Sequence, residues 1–377
     1  MLISILVCMN KLALINGILL NAAEQSPETA LLITDDRIDG VISKTEIPSE
    51  YTIWDARGHY ISPGFIDLQI YGGGGVLFAE KPTDESLRTM ADALVQSGTT
   101  GFYLTLATNT LDVLKKSIEV AKEAVHPAFM GLHFEGPFLH PEKRGAHPTS
   151  CLLRPEMETF RDLLEHASGT IKMMTIAPEL FNPEQITYLR DAGVLLSAGH
   201  STANYEEATQ GFAAGIAAVT HLFNAMSPLH HRESGLPGAV FLSEHVCASI
   251  IVDGIHLSYE TVAISKKIMG DRLFLITDAV APATSGTYHH RLNSDHYVLP
   301  DGTLSGSALT MMDAVKNAVR HAGIPLPEAI RMATSYPARL IGAKDQGQIS
   351  AGHLANLTLF DSDFQVQHVF LHGIKQR

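Results

Sequence analysis

Four chemically capable side chains stand at the ends of short apolar runs. Glu135 closes Met130–Phe134 in HFEGPF, His200 closes Val194–Ala198, His221 closes Ile216–Val219, and Asp278 closes Leu273–Ile276. One carboxylate and two imidazoles make a three-ligand set that leaves a fourth position of a divalent cation open to water, the arrangement of hydrolytic zinc. Zn²⁺ is the favoured ion, and Fe²⁺ also suits imidazole. Asp278, in LFLITDAVAPA, follows a run so apolar that its carboxylate must emerge at the rim. There it would be the general base for the attacking water and then the acid for the leaving group. His256, in IIVDGIHLS, would donate to a carbonyl oxygen as charge develops. Each residue also has a plainer reading, as a satisfied core histidine, a loop carboxylate or a helix N-cap. His200 and His221 weigh against it as a pair, being 21 residues apart at equivalent positions of successive strand-like runs.

Such groups need a scaffold that gathers strand ends. Gly193–Met226 reads as one βαβ unit, with Asn204 and Glu207 as a capping box, Tyr205, Ala208 and Phe212 on one helix face, and Gly215 as the stop. Further strand-like runs are Phe65–Ile70, Gly101–Leu106, Met130–Phe134, Lys172–Ile176, Ala248–Val252 and Leu273–Ile276. Helical patterns such as Asp84–Gln96, Leu111–Ala124 and Ser258–Met269 separate them. Eight repeats predict an α/β protein with a (β/α)₈ barrel, whose mouth would collect Gln69, Tyr71, Glu135, His200, His221, Asp253, His256 and Asp278. Before it, Leu12–Ile15, Ala30–Ile33 and Ile38–Ile42 read as a small antiparallel β unit. After it come an irregular insert, Ala281–Leu304, two helices (Ala308–His321 and Pro327–Ile341) and a β-rich tail, Gly347–Gly373. The expected division is a barrel over 61–344 and one small domain built from 1–60 and 345–377.

A net charge of −13 argues against nucleic acid and anionic membranes as partners. An anionic substrate group would need a local basic cluster, for which His230, His231 and Arg232, with Lys143, Arg144 and His147, are the candidates. Cys8, Cys151 and Cys247 form neither a disulfide framework nor a zinc-finger spacing, which points to the reducing cytoplasm. Leu2–Met9 is too short for a span and lacks the basic start and cleavage site of a signal peptide, so Met9 is an alternative start. Gly72–Gly75 reads as a flexible turn that also allows close approach to a ligand, and Met311 and Met312 as core.

The motifs SPGFIDLQ, GLHFEGPFL with GAHP, SAGHS, THLFNAM, HHRESG, IIVDGIH, LITDA, GTLSGSALTM and ISAGHLANLTLFD resemble the N-acetylglucosamine-6-phosphate deacetylases of the amidohydrolase superfamily from about Lys11 onward. The resemblance implies a distorted (β/α)₈ barrel with a small β-sandwich, a homodimer, and hydrolysis of the acetamido group of a sugar 6-phosphate. It maps metal ligands onto Glu135, His200 and His221, the acid/base onto Asp278, and the carbonyl-polarising histidine onto His256. His147 matches a substrate contact, Asn224, Ala225 and Arg232 the phosphate-binding elements, and Ala146 with Leu304, Ser305 and Gly306 backbone contacts to the sugar. Asp253, beside His256 in the same motif, is counted with the substrate-binding group. The matching arginine of the family crosses from the partner subunit. Where most amidohydrolases carry His-x-His, this chain has Gln69-Ile70-Tyr71, which implies one metal and leaves Gln69 and Tyr71 as remnants of a second site. The same chemistry on N-acetylgalactosamine 6-phosphate is the nearest alternative. A catalytically silent binding barrel and a dinuclear cyclic-amide hydrolase are the rivals of other kinds.

Overall fold

A computed structural model describes residues 10–20 and 28–377, and Leu2–Met9, with the alternative start, lies outside them. Eight parallel strands run in chain order around one sheet. They are β1 (Phe65–Ile70), β2 (Thr99–Ala107), β3 (Phe129–Glu135), β4 (Ile171–Ile176), β5 (Leu195–Ala198), β6 (Ala218–Val219), β7 (Cys247–Ile250) and β8 (Leu273–Leu275). The seam between β8 and β1 is closed at the end of β1 by the segment just beyond β8. Ile70 bridges Ala279, Asp278 N–H donates to Gln69 O at 3.0 Å, and Tyr71 N–H donates to Ala279 O at 2.9 Å. The segment that shuts the barrel therefore carries Asp278.

Helices α1 (Asp84–Gln96), α2 (Leu111–Lys122), α3 (Met157–Ala167), α4 (Pro183–Asp191), α5 (Tyr205–Ala214), α6 (Gly235–Leu242), α7 (Tyr259–Met269) and α8 (Met311–Arg320) surround the sheet. Their apolar faces and the outward faces of the strands form one large core. Asn204 and Glu207 make the capping box of α5, and Gly215 ends it at φ 130°. β6 is shorter than the run Ile216–Val219 because Ile216 N–H donates to Gly211 O, closing the helix instead of extending the strand.

Three expectations change. The insert is not irregular: Arg291–Asn293, His296–Val298 and Leu304–Ser307 pair antiparallel, with turn residues cutting each run too short to read as a strand. The second expected helix is two, α9 (Leu326–Ala333) and α10 (Ser335–Leu340), broken at Thr334, whose hydroxyl donates back to Ile330 O. The N-terminal β unit is mixed, since Lys11–Ile15 pairs antiparallel with Thr29–Thr34 but parallel with Thr52–Asp55. The tail strand Leu357–Phe360 pairs with Tyr60–Pro63, and Leu14, Ile33, Ile61, Leu359 and Phe370 from the two terminal sheets share one core. Among the described residues no helix is long and apolar enough to cross a membrane.

Glu328 on α9 receives Lys266 from α7, Arg331 and Tyr336. Burial opposes its ionisation, but these partners pull its carboxyl down to about 2. A depressed folded pKa stabilises above the unfolded value near 4.5 and is lost as pH falls through about 2. Glu328→Gln should therefore lower Tm at neutral pH and flatten its decline between those two values. A variant whose Tm falls with acid as steeply as wild type would rule out this clasp.

Candidate functional site

Parallel strands end at one rim, and the residues just past β5, β6 and β8 turn sharply there. His200, His221 and Asp278 have φ of 49°, 34° and 55°, a left-handed backbone that is uncommon outside glycine. The turn swings each side chain inward over the barrel mouth, toward Glu135 at the end of β3. Among the described residues these two histidines and Glu135 form a group able to hold a metal ion, with their ligand atoms all within 4.8 Å of one another. Glu135 Oε1 lies 3.2 Å from His200 Nε2 and 3.1 Å from His221 Nε2, and the two ring nitrogens are 3.0 Å apart.

The chemistry of this donor set fits a cation. His200 Nδ1 is 2.8 Å from Lys143 O, so its proton belongs there and Nε2 presents a lone pair. Burial lowers the His221 pKa and favours the neutral ring that a ligand must have. Burial opposes the charge on Glu135, but His147 and His200 outweigh it and hold the carboxyl well below its usual range. Ser249 Oγ accepts His221 N–H at 2.8 Å, fixing the turn from behind.

Asp278 sits beside this set. Gln69 Nε2 is 2.8 Å from Asp278 Oδ1 and 2.9 Å from Glu135 Oε1, and Tyr71 O–H donates to Glu135 Oε2 at 2.6 Å. Burial, then the charge of Glu135, pushes the Asp278 carboxyl well above its usual range. His256 Nδ1 is 2.6 Å from Asp253 Oδ2, which leaves Nε2 facing the mouth, 3.9 Å from Asp278 Oδ2. Asp253 also accepts the N–H groups of Ile255 and His256, so it orients His256 and does not itself line the cavity.

A cavity of about 370 Å³ opens above these groups. Of the residues read from sequence, Tyr71, Glu135, His147, His200, His221, His256 and Asp278 line it. Lys143, Ala146, Asn224, Ala225 and Leu304 to Gly306 complete that set, while Gln69 is buried behind it and Arg144, His230 and His231 do not line it. A β-carbon on Gly306 would meet Val280 at 2.7 Å, so only glycine fits where this strand backs the Asp278 segment. Arg232 is not in this cavity; it is exposed and lines a separate one with Thr202, Asn204 and Ser227. Gly72–Gly75 does not line the site either. It forms a tight hairpin against Ala281, where a β-carbon on Gly72 would come 2.6 Å from Val76 O.

Sequence reasoning missed three residues. Tyr288 and His290 reach the cavity from the insert, His290 with its pKa lowered to about 4 by burial. Short paired runs gave them no periodic signal, although a Tyr-His-His sequence in a loop was a visible one. His133, two residues before Glu135 and so on the same strand face, lies beneath the site. Burial lowers its pKa to about 4, and its ring bridges Leu68 O and Thr175 Oγ1. Thr175, Thr220 and Ser197 continue that hydrogen-bonded belt across the barrel floor.

Comparison with known proteins agrees with this architecture. The chain is 38% identical to an N-acetylglucosamine-6-phosphate deacetylase of Haemophilus influenzae, over 96% of its own length and 98% of the relative's. It is 35% identical to an N-acetylgalactosamine-6-phosphate deacetylase of a Shewanella species, over 89% of each. The crystal structure of N-acetylglucosamine-6-phosphate deacetylase from Pasteurella multocida superposes with a TM-score of 0.93 at 34% identity, covering 97% of this chain and 99% of that one. The amidohydrolase family matches residues 60–375, which span the whole barrel and the tail strands that pack beside it. By that match and by these relatives, the chain belongs to the amidohydrolase family.

Proposed function

We propose that this chain hydrolyses the acetamido group of N-acetyl-D-glucosamine 6-phosphate to D-glucosamine 6-phosphate and acetate. The observation that carries this reading is the convergence of Glu135, His200 and His221 with Asp278 and His256 on one cavity. The named activities of the Haemophilus and Shewanella relatives support it. Glu135, His200 and His221 would hold one divalent cation, Zn²⁺ by the donor set with Fe²⁺ the alternative. When bound, that ion supplies positive charge that makes a water nucleophilic and polarises the amide carbonyl.

The chain's own groups do the rest. Asp278 takes the proton of the attacking water and returns it to the amine nitrogen as the C–N bond breaks. His256, anchored by Asp253, donates from Nε2 to the carbonyl oxygen as it gains charge. His147 and the backbone at Ala146 and Leu304 to Gly306 hold the sugar, while Asn224 and Ala225 lie toward its phosphate. In a homodimer the partner subunit's Arg232 completes the phosphate site, a role in keeping with the exposure of Arg232 on its own chain. In this reading 61–344 is the catalytic barrel and 1–60 with 345–377 the β-sandwich. A cytoplasmic location is supported by the free thiols Cys151 and Cys247.

Turnover of the two epimeric N-acetylhexosamine 6-phosphates, read as acetate released, tests the substrate. The gluco epimer should have the higher kcat/KM; a preference for the galacto epimer transfers the assignment to that sugar, and hydrolysis of neither sinks it. Metal analysis should find one ion per chain, because Gln69 and Tyr71 occupy the neighbouring space with hydrogen-bond donors. Two tightly held ions would refute that count.

A further inference from the structure

We propose that Tyr71 is a positioning residue for the metal centre: its hydroxyl holds Glu135 Oε2, so that Oε1 alone faces His200 and His221. The proposal rests on the metal reading above. A free carboxylate can present either oxygen, or both, to a cation. Here the two are divided. Oε2 takes the Tyr71 O–H at 2.6 Å and His147 Nε2 at 3.0 Å, whereas Oε1 takes the Gln69 amide at 2.9 Å and lies 3.2 Å and 3.1 Å from the Nε2 atoms of His200 and His221. Gln69 Nε2 stands 2.7 Å from the Tyr71 oxygen. An amide N–H can only donate, so it turns the single phenolic proton away from itself, and Glu135 Oε2 at 2.6 Å takes that proton ahead of Asp278 Oδ1 at 3.3 Å.

The ring is fixed as well. Tyr71 is 8% exposed and belongs to a small apolar cluster with Leu77, Val280 and Tyr288. Its backbone is pinned on both sides, Tyr71 N–H to Ala279 O and Phe78 N–H to Tyr71 O. Phenylalanine would fill the same volume, so packing alone does not require a tyrosine. Without the hydroxyl, Oε2 would keep only His147, while the two N–H groups of Gln69 would still have Glu135 Oε1 and Asp278 Oδ1 as acceptors.

The test is a Zn²⁺ titration against a chromophoric chelator, without sugar, on wild type, Tyr71→Phe and Leu77→Ala, each first shown to be folded by its Tm. Removing a group that orients a ligand costs about tenfold to a hundredfold in metal affinity. Tyr71→Phe should show that loss, and Leu77→Ala, which loosens the same cluster but keeps the hydroxyl, should bind Zn²⁺ as wild type does. A smaller loss in Tyr71→Phe, or an equal one in Leu77→Ala, overturns the proposal. Because no substrate is present, a wild type lacking deacetylase activity leaves the comparison intact. A wild type that binds no Zn²⁺ overturns the metal reading itself, and this proposal with it.

Discussion

Asp278→Asn should abolish most turnover while leaving metal and substrate binding near wild type. A single positioned proton transfer contributes about 10²–10⁴-fold, and this residue serves two, one from water and one to nitrogen, so the loss in kcat should exceed that range. Asparagine keeps the shape of the side chain and an oxygen for the Gln69 amide, so the seam between β8 and β1 should close as before. Its neutral amide has no basic site for the water proton. Steady-state kinetics with metal analysis on the same sample checks the split. Near-normal kcat would place the base elsewhere, and His256, with Nε2 facing the same cavity, would be next to examine.

Arg232→Ala should act chiefly on phosphorylated substrates. Hydrogen bonds to charged groups contribute roughly 1.5–3 kcal/mol each, so losing two costs about 3–6 kcal/mol, or on the order of 10²–10⁴ in kcat/KM. The measurement is a cycle of wild type and Arg232→Ala, each on N-acetylglucosamine with and without its 6-phosphate. Equal losses on both sugars would make Arg232 structural. The cycle does not say whose site Arg232 serves, and its position outside the cavity of its own chain makes that question concrete. If the site is shared between two subunits, mixing Arg232→Ala with Asp278→Asn protein should regain activity, since one site of such a heterodimer has both residues. No recovery, with subunit exchange shown independently, would return Arg232 to its own chain's site.

The barrel was legible because its strands are buried on both faces and read as short, largely apolar runs, while its helices carry periodic faces and caps. Two signals of different period alternate eight times, and the residue closing each strand could be picked out without knowing any contact. That is how Glu135, His200, His221 and Asp278 emerged together. The insert hid its hairpin because strands of three or four residues are too short for alternation to register. Tyr288 and His290 were lost with it. Arg232 illustrates a different limit: motif spacing places a basic residue near the mouth in sequence but does not say which mouth it serves. Asp253 illustrates a third limit, because in sequence one carboxylate beside a histidine reads equally as a substrate contact or as the partner of that histidine.

The left-handed turns at His200, His221 and Asp278 also constrain how such a site can drift. Outside glycine, that backbone is tolerated best by Asn, Asp and His, and worst by branched or bulky side chains. The permitted alphabet at these three positions is thus short, and half of it consists of residues that bind metals or move protons. A descendant barrel that exchanged one ligand for another, His for Asp, would keep its turns. One that abandoned the chemistry should carry Gly or Asn at these positions, and not Leu or Val. In a set of related barrels of unknown activity, Gly or Asn at all three positions would mark a copy that has kept the turns and lost the chemistry.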